Sequence, residues 1–78
     1  MKREYSKQVE KFLGNQTTSV VLRIKSAIEK LPAGDVKKMK DQKNLYRLRV
    51  GSFRILFTLT PTLITIDRID SRGQIYKH

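Results

Sequence analysis

Hydrophobic positions change their spacing once along this chain, near Gly34, and the change separates a helical half from a sheet half. Upstream, Val9, Phe12 and Leu13 recur at i, i+3 and i+4, which is one face of a helix. Ser6 stands where an N-cap belongs, and Gly14-Asn15 is a stop of the kind found just past a helix end. A second helix is predicted from Val20, Ile24, Ala27, Ile28 and Leu31, with Thr17, Thr18 or Ser19 as its cap and Pro32-Ala33-Gly34 as its end. Together these predict a short antiparallel helical hairpin with one shared apolar stripe. Lys2 to Tyr5 predicts a short strand ahead of it.

Downstream the period becomes two. In the run Leu45 to Phe57, a Gly51-Ser52 turn puts Tyr46, Leu48 and Val50 on the same side as Phe53, Ile55 and Phe57. Arg47, Arg49 and Arg54 then share the opposite side. A third strand is predicted from Leu63 to about Asp70, after a turn at Pro61-Thr62. Asp35 to Lys40 also has the alternation to enter a sheet, with Val36 and Lys38 on one face and Lys37 and Met39 on the other. The predicted class is α+β: a short N-terminal strand, a two-helix hairpin, then a three-stranded antiparallel meander. Both helices should cover one face of a four-stranded antiparallel sheet and leave the arginine face open.

Length and composition narrow the chemistry. The 78 residues suffice for one domain, 1–78. Cysteine is absent and the single histidine is the last residue, so neither a disulfide framework nor a metal or cofactor site is expected. No apolar stretch is long enough to span a membrane, and no apolar segment follows the charged N-terminus as a signal peptide requires. A cysteine-free chain of this kind fits the cytoplasm. The formal charge of +10, from 17 Lys and Arg against 7 Asp and Glu, points to nucleic acid, an anionic membrane or an acidic protein. No basic amphipathic helix is left over for a membrane surface, so nucleic acid is favoured.

The candidate chemistry lies on the arginine side. A guanidinium offers a planar fork of donors that fits two phosphate oxygens at once, and Arg47, Arg49 and Arg54 place three such forks on one surface. The same residues also fit a solvated sheet face, although an unbalanced one, since no acid is interleaved. Lys37, Lys38, Lys40 and Lys43 suit an approach surface for RNA backbone, which attracts without reading sequence. Tyr46 alternates with Leu48 and Val50 and reads as core, as do Phe12, Phe53 and Phe57.

The stretch Leu45-Tyr46-Arg47-Leu48-Arg49-Val50-Gly51-Ser52-Phe53-Arg54-Ile55, combined with the tail Arg72-Gly73-Gln74-Ile75-Tyr76-Lys77, resembles the RelE/ParE superfamily of toxins from bacterial toxin–antitoxin modules. The resemblance runs through nearly the whole chain. It implies a small α+β domain and, in the RelE branch, ribosome-dependent cleavage of messenger RNA in the A site without a metal. There the 2′-hydroxyl attacks the adjacent phosphate, leaving a 2′,3′-cyclic phosphate and a free 5′-hydroxyl.

By that resemblance Arg47, Arg49 and Arg54 occupy the family's basic strand positions. Tyr76 matches the tyrosine that stacks on or activates the scissile nucleotide, and Arg72 is the nearest match to the C-terminal basic positions. Tyr76 also fits a packing residue, and Arg72 a turn residue. His78 matches a histidine-containing tail in other short members and would suit proton transfer to the 5′-oxygen, or it is an inert terminus. Where some members carry a further arginine this chain has Asp70, which admits three readings: a general base, an ion-pair partner, or a mark of weakened activity. The resemblance further implies a cognate antitoxin as partner, beside ribosome and mRNA, with a monomeric toxin joining a hetero-oligomer. Two other functions stay open: a ParE-like poison of DNA gyrase, and a weakened basic module that mainly binds its antitoxin.

Overall fold

The computed structural model describes residues 1–40 and 43–71. Strand β1 (Lys2–Tyr5) leads into α1 (Lys7–Gly14) and α2 (Thr18–Glu29). Four strands follow: β2 (Val36–Lys38), β3 (Leu45–Val50), β4 (Phe53–Leu59) and β5 (Leu63–Ser71). They form one sheet in the order β1-β5-β4-β3-β2. The expected four-stranded antiparallel sheet is thus a five-stranded mixed one. Val36–Lys38 joins it by pairing antiparallel with β3, Val36 opposite Leu48. The first strand lies parallel to the last, with Lys2 opposite Leu63 and Tyr5 opposite Ile66. A parallel neighbour requires a long connection, and the helices and intervening strands supply it.

Each helix packs on the sheet, α1 over β5 and α2 over β3. Val9, Leu13, Ile24, Ile28 and Leu31 meet Leu48, Ile55, Phe57 and the inward isoleucines of β5 in a single core. Burying each such side chain contributes about 1.5–3 kcal/mol, which matters in so short a chain. Phe57 is fully buried, while Phe12 and Phe53 are half-buried and meet edge to face at 5.9 Å. Among the described residues no helix is long and apolar enough to cross a membrane.

Caps tie the helices to the sheet. Ser6 Oγ accepts from the Val9 N–H at 3.2 Å and donates to the Asp67 carbonyl at 2.8 Å, so one hydroxyl starts α1 and pins β5. Thr17 Oγ1 accepts from the Val20 N–H at 3.3 Å and starts α2. The end of α2 is met by Arg3 of β1, whose guanidinium donates to the carbonyls of Ile28 at 3.0 Å, Glu29 at 2.9 Å and Leu31 at 3.1 Å. A cation at a helix C-terminus also opposes the negative end of its dipole.

Strand β1 is too short to cover the second half of β5. There the Gln8 side chain substitutes for it. Its Nε2 donates to the Ile69 carbonyl at 3.2 Å, and its Oε1 accepts from the Ile69 N–H at 3.1 Å. On the other side of β5 the register slips by one residue: Leu56 faces Arg68 while Phe57 faces Ile66, leaving Asp67 as the extra residue of a bulge. This bulge keeps Ile64, Ile66 and Ile69 all buried despite their unequal spacing. It also turns Asp67, Arg68 and Asp70 toward the face away from the helices.

Candidate functional site

Cross-strand register assigns the surface opposite the core. One row runs Arg49, Arg54, Asp70 across β3, β4 and β5. The next runs Lys37, Arg47, Leu56, Arg68 from β2 to β5. Residues directly opposite in a sheet share a face, so the three arginines predicted to lie together do so, and Lys37 joins them. Lys38 faces Tyr46 and therefore lies on the helix side, as its alternation with Lys37 requires. Lys40 and Lys43 are exposed at the β2–β3 connection. Arg72, Tyr76 and His78 lie outside the described residues. Tyr46 is stacked on Phe57 at 5.5 Å on the core side, in keeping with its sequence reading.

The cations on this face differ in their commitments. Arg49 Nε lies 3.9 Å from Asp35 Oδ2, and Arg68 Nε donates to Asp70 Oδ2 at 2.9 Å. Of the three readings of Asp70, the ion pair is therefore realised, with Arg68 as the partner. Among the described residues neither Arg47 nor Arg54 has a carboxylate partner. Arg47 departs most from a solvated surface arginine. It is half-buried, and its Nε is shielded from solvent with no hydrogen-bond partner among the described residues.

Arg49 and Arg54 are opposed directly across the hairpin, and like charges so placed are destabilising. The turn joining them depends on Gly51, whose φ of +59° suits glycine. A side chain there would also collide with the guanidinium of Arg23, which reaches over from α2 to the hairpin tip.

Sequence reasoning did not single out Arg23, Asp35, Asp67 or Arg68. For the bulge residues a signal was present. Ile64, Ile66 and Ile69 cannot all face one way in a regular strand, so an extra residue was demanded between the last two. On the same face Thr58 Oγ1 donates to Asp67 Oδ2 at 2.7 Å, which holds that carboxylate over β4.

A small α+β domain that presents a cationic, helix-free sheet face is a class that comparisons with known proteins make specific. The profile described as "ParE toxin of type II toxin-antitoxin system, parDE" matches residues 2–76. The chain belongs to the RelE/ParE superfamily of toxins from type II toxin–antitoxin modules. Its fold is similar to that in the RelB–RelE antitoxin–toxin complex from Methanococcus jannaschii, at 30% identity and a TM-score of 0.77 over 95% of each chain. The archaeal RelE–RelB complex from Pyrococcus horikoshii OT3 is similar at 25% identity and a TM-score of 0.75, over 94% of this chain and 96% of that one. The E. coli DinJ–YafQ complex shares the fold at 15% identity and a TM-score of 0.65, over 95% of this chain and 96% of that one. No curated protein matches the chain.

Proposed function

We propose that this toxin is a ribosome-dependent endoribonuclease that cuts mRNA in the A site and so halts translation in the cytoplasm. The observation that carries this reading is the pair Arg47 and Arg54, which share the helix-free face with Arg49 and have no carboxylate partner among the described residues. In the reaction the 2′-oxygen forms a bond to the adjacent phosphorus and the P–O5′ bond breaks. The products are a 2′,3′-cyclic phosphate and a free 5′-hydroxyl. Negative charge gathers on the non-bridging and leaving oxygens, where fixed guanidinium groups stabilise it. Arg47, Arg49 and Arg54 would grip the phosphate, and Lys37, Lys40 and Lys43 would attract the backbone, Lys38 lying on the other face. Arg72, Tyr76 and His78 are the tail groups that the family resemblance adds. Much of the remaining acceleration would come from the ribosome holding the 2′-hydroxyl in line. No resident metal or cofactor is called for.

The similar archaeal toxins are complexed with RelB antitoxins, which supports a cognate antitoxin here as well. We expect a monomeric toxin that enters a hetero-oligomer when an acidic antitoxin segment covers the arginine face. A ParE-like gyrase poison is the second reading, and the description of the matching family favours it. Mapping 5′ ends of transcripts after induction, beside a gyrase supercoiling assay, separates the two. In-frame cuts at A-site positions with normal supercoiling are expected; gyrase inhibition without cuts would overturn the ribonuclease reading.

A further inference from the structure

A metal-free cleavage needs a group to remove the 2′-hydroxyl proton, and guanidinium groups cannot accept one. Sequence resemblance assigns a tyrosine in the tail to activation, whereas the described face holds its own acceptors. They are the carboxylates Asp35, Asp67 and Asp70. The described tyrosines do not compete. Tyr46 is stacked on Phe57 on the core side, and Tyr5 stands opposite the buried Ile66.

The three acids are not equivalent. Asp35 flanks Arg49 on the outer side of the hairpin, away from Arg54. Asp67 is the bulge residue, held by the Thr58 hydroxyl at 2.7 Å and without a partner of its own on β4. Asp70 stands directly opposite Arg54. Side chains so paired start from Cβ atoms about 4.5–5.5 Å apart, which would bring a phosphate held on the Arg54 fork within reach of the Asp70 carboxylate. That carboxylate does not close onto Arg54. It turns to Arg68, whose Nε holds Oδ2 at 2.9 Å, leaving the Arg54 fork open and Oδ1 without a hydrogen-bond partner among the described residues. The bulge produces this arrangement, because without the slip in register Asp70 would point toward the helices.

We propose that Asp70 is the general base of this reaction; the inference rests on the ribonuclease reading above. Oδ1 accepts the 2′-hydroxyl proton as the 2′-oxygen bonds to phosphorus, Arg54 binds the non-bridging oxygens, and Arg68 orients the carboxylate. The 5′-oxygen departs and takes a proton from solvent. The site then releases the proton from Asp70, so that charge and atoms balance over the cycle. Arg54 stands opposite the carboxylate and Arg68 is paired with it, Arg49, Arg47 and Lys37 lie farther across the same face, and Asp67 is its nearest like-charged neighbour along β5.

The test is single-turnover cleavage of a short mRNA on programmed ribosomes by the full chain. Binding is measured in parallel to ribosomes carrying the same mRNA with a 2′-deoxy sugar at the scissile nucleotide, which cannot be cut. Asp70→Asn should slow cleavage by about 10²–10⁴-fold, the range for loss of a general base, with binding unchanged or tighter. Arg68→Ala, which removes the ion pair but keeps the carboxylate, should retain clearly more activity than Asp70→Asn. Asp67→Asn should stay within a few-fold of wild type. Equal losses in Asp70→Asn and Arg68→Ala, or loss of binding in step with rate, would mean a structural ion pair and overturn the assignment. Cleavage by Asp70→Asn within about threefold of wild type would also overturn it and leave the ribonuclease reading intact. A wild-type chain that cuts nothing in this assay would instead overturn that reading and the assignment with it.

Discussion

Arg49 and Arg54 face each other across β3 and β4, with Asp35 and Asp70 closing the two ends of their row. Asp35 pairs with Arg49, but Asp70 turns to Arg68 in the next row, so the repulsion at the centre of this row is only partly relieved. A pair of this kind costs the folded chain some stability, and the anion proposed above would relieve it on binding.

Screening should expose that cost. Raising salt shortens the range of charge repulsion, so this domain of net charge +10 should gain resistance to urea as ionic strength rises. Arg54→Thr should gain a few tenths of a kcal/mol at low salt and show a shallower salt dependence. The same change should weaken single-stranded RNA binding and lower its salt slope by about 0.7. Urea titrations and binding isotherms at several salt concentrations check both.

Gln8 replaces a strand, and its removal should be felt on β5. Gln8→Ala deprives the Ile69 N–H and carbonyl of both partners and should cost about 1–3 kcal/mol. Amide hydrogen exchange should quicken at Ile69 more than at Ile64, which lies alongside Arg3 of β1. Equal changes at the two amides would point to general destabilisation.

Arg3 tests the value of a planar fork at a helix end. Its guanidinium meets three carbonyls at the close of α2, which an ammonium cannot reach together. Arg3→Lys should therefore lose most of what Arg3→Ala loses, about 1.5–3 kcal/mol for hydrogen bonds from a charged donor. Thermal unfolding of the two variants measures this directly.

Tyr5 links the same corner to pH. Burial, followed by the negative charge of Glu29, pushes its phenol above the ordinary value of about 10, against a downward pull from Arg3. The folded chain thus favours the neutral phenol. Stability from this group is complete below the unfolded value and is lost as pH climbs through the higher folded value. Tyr5→Phe should flatten the alkaline limb of a stability–pH curve and leave the neutral region unaltered in shape.

Local rules were enough for much of this architecture. Alternation of Tyr46, Leu48 and Val50 with Arg47 and Arg49 defined both faces of the hairpin, Ser6 announced α1, and of the three caps open to α2 (Thr17, Thr18 or Ser19) the structure uses Thr17. What escaped was non-local or irregular. The partner of Lys2–Tyr5 depends on residues far along the chain, and no pattern within four residues encodes a parallel register. The bulge was written into the unequal isoleucine spacing, but reading it as a regular strand hid Arg68. The partner of Asp70 followed from the bulge and was hidden with it.

The parallel pairing of β1 with β5 has a bearing on synthesis. Lys2 is made about 60 residues before its ladder partner Leu63, and β5 separates β1 from every other strand. A nascent chain that stops after β4 leaves β1 with no neighbour, and the end of α2 tied through Arg3 to an unpaired segment. Contacts this distant in sequence close late. A chain that stops before β5 would thus lack the assembled sheet, and a cell making the toxin would meet its charged face only after β5 had been made.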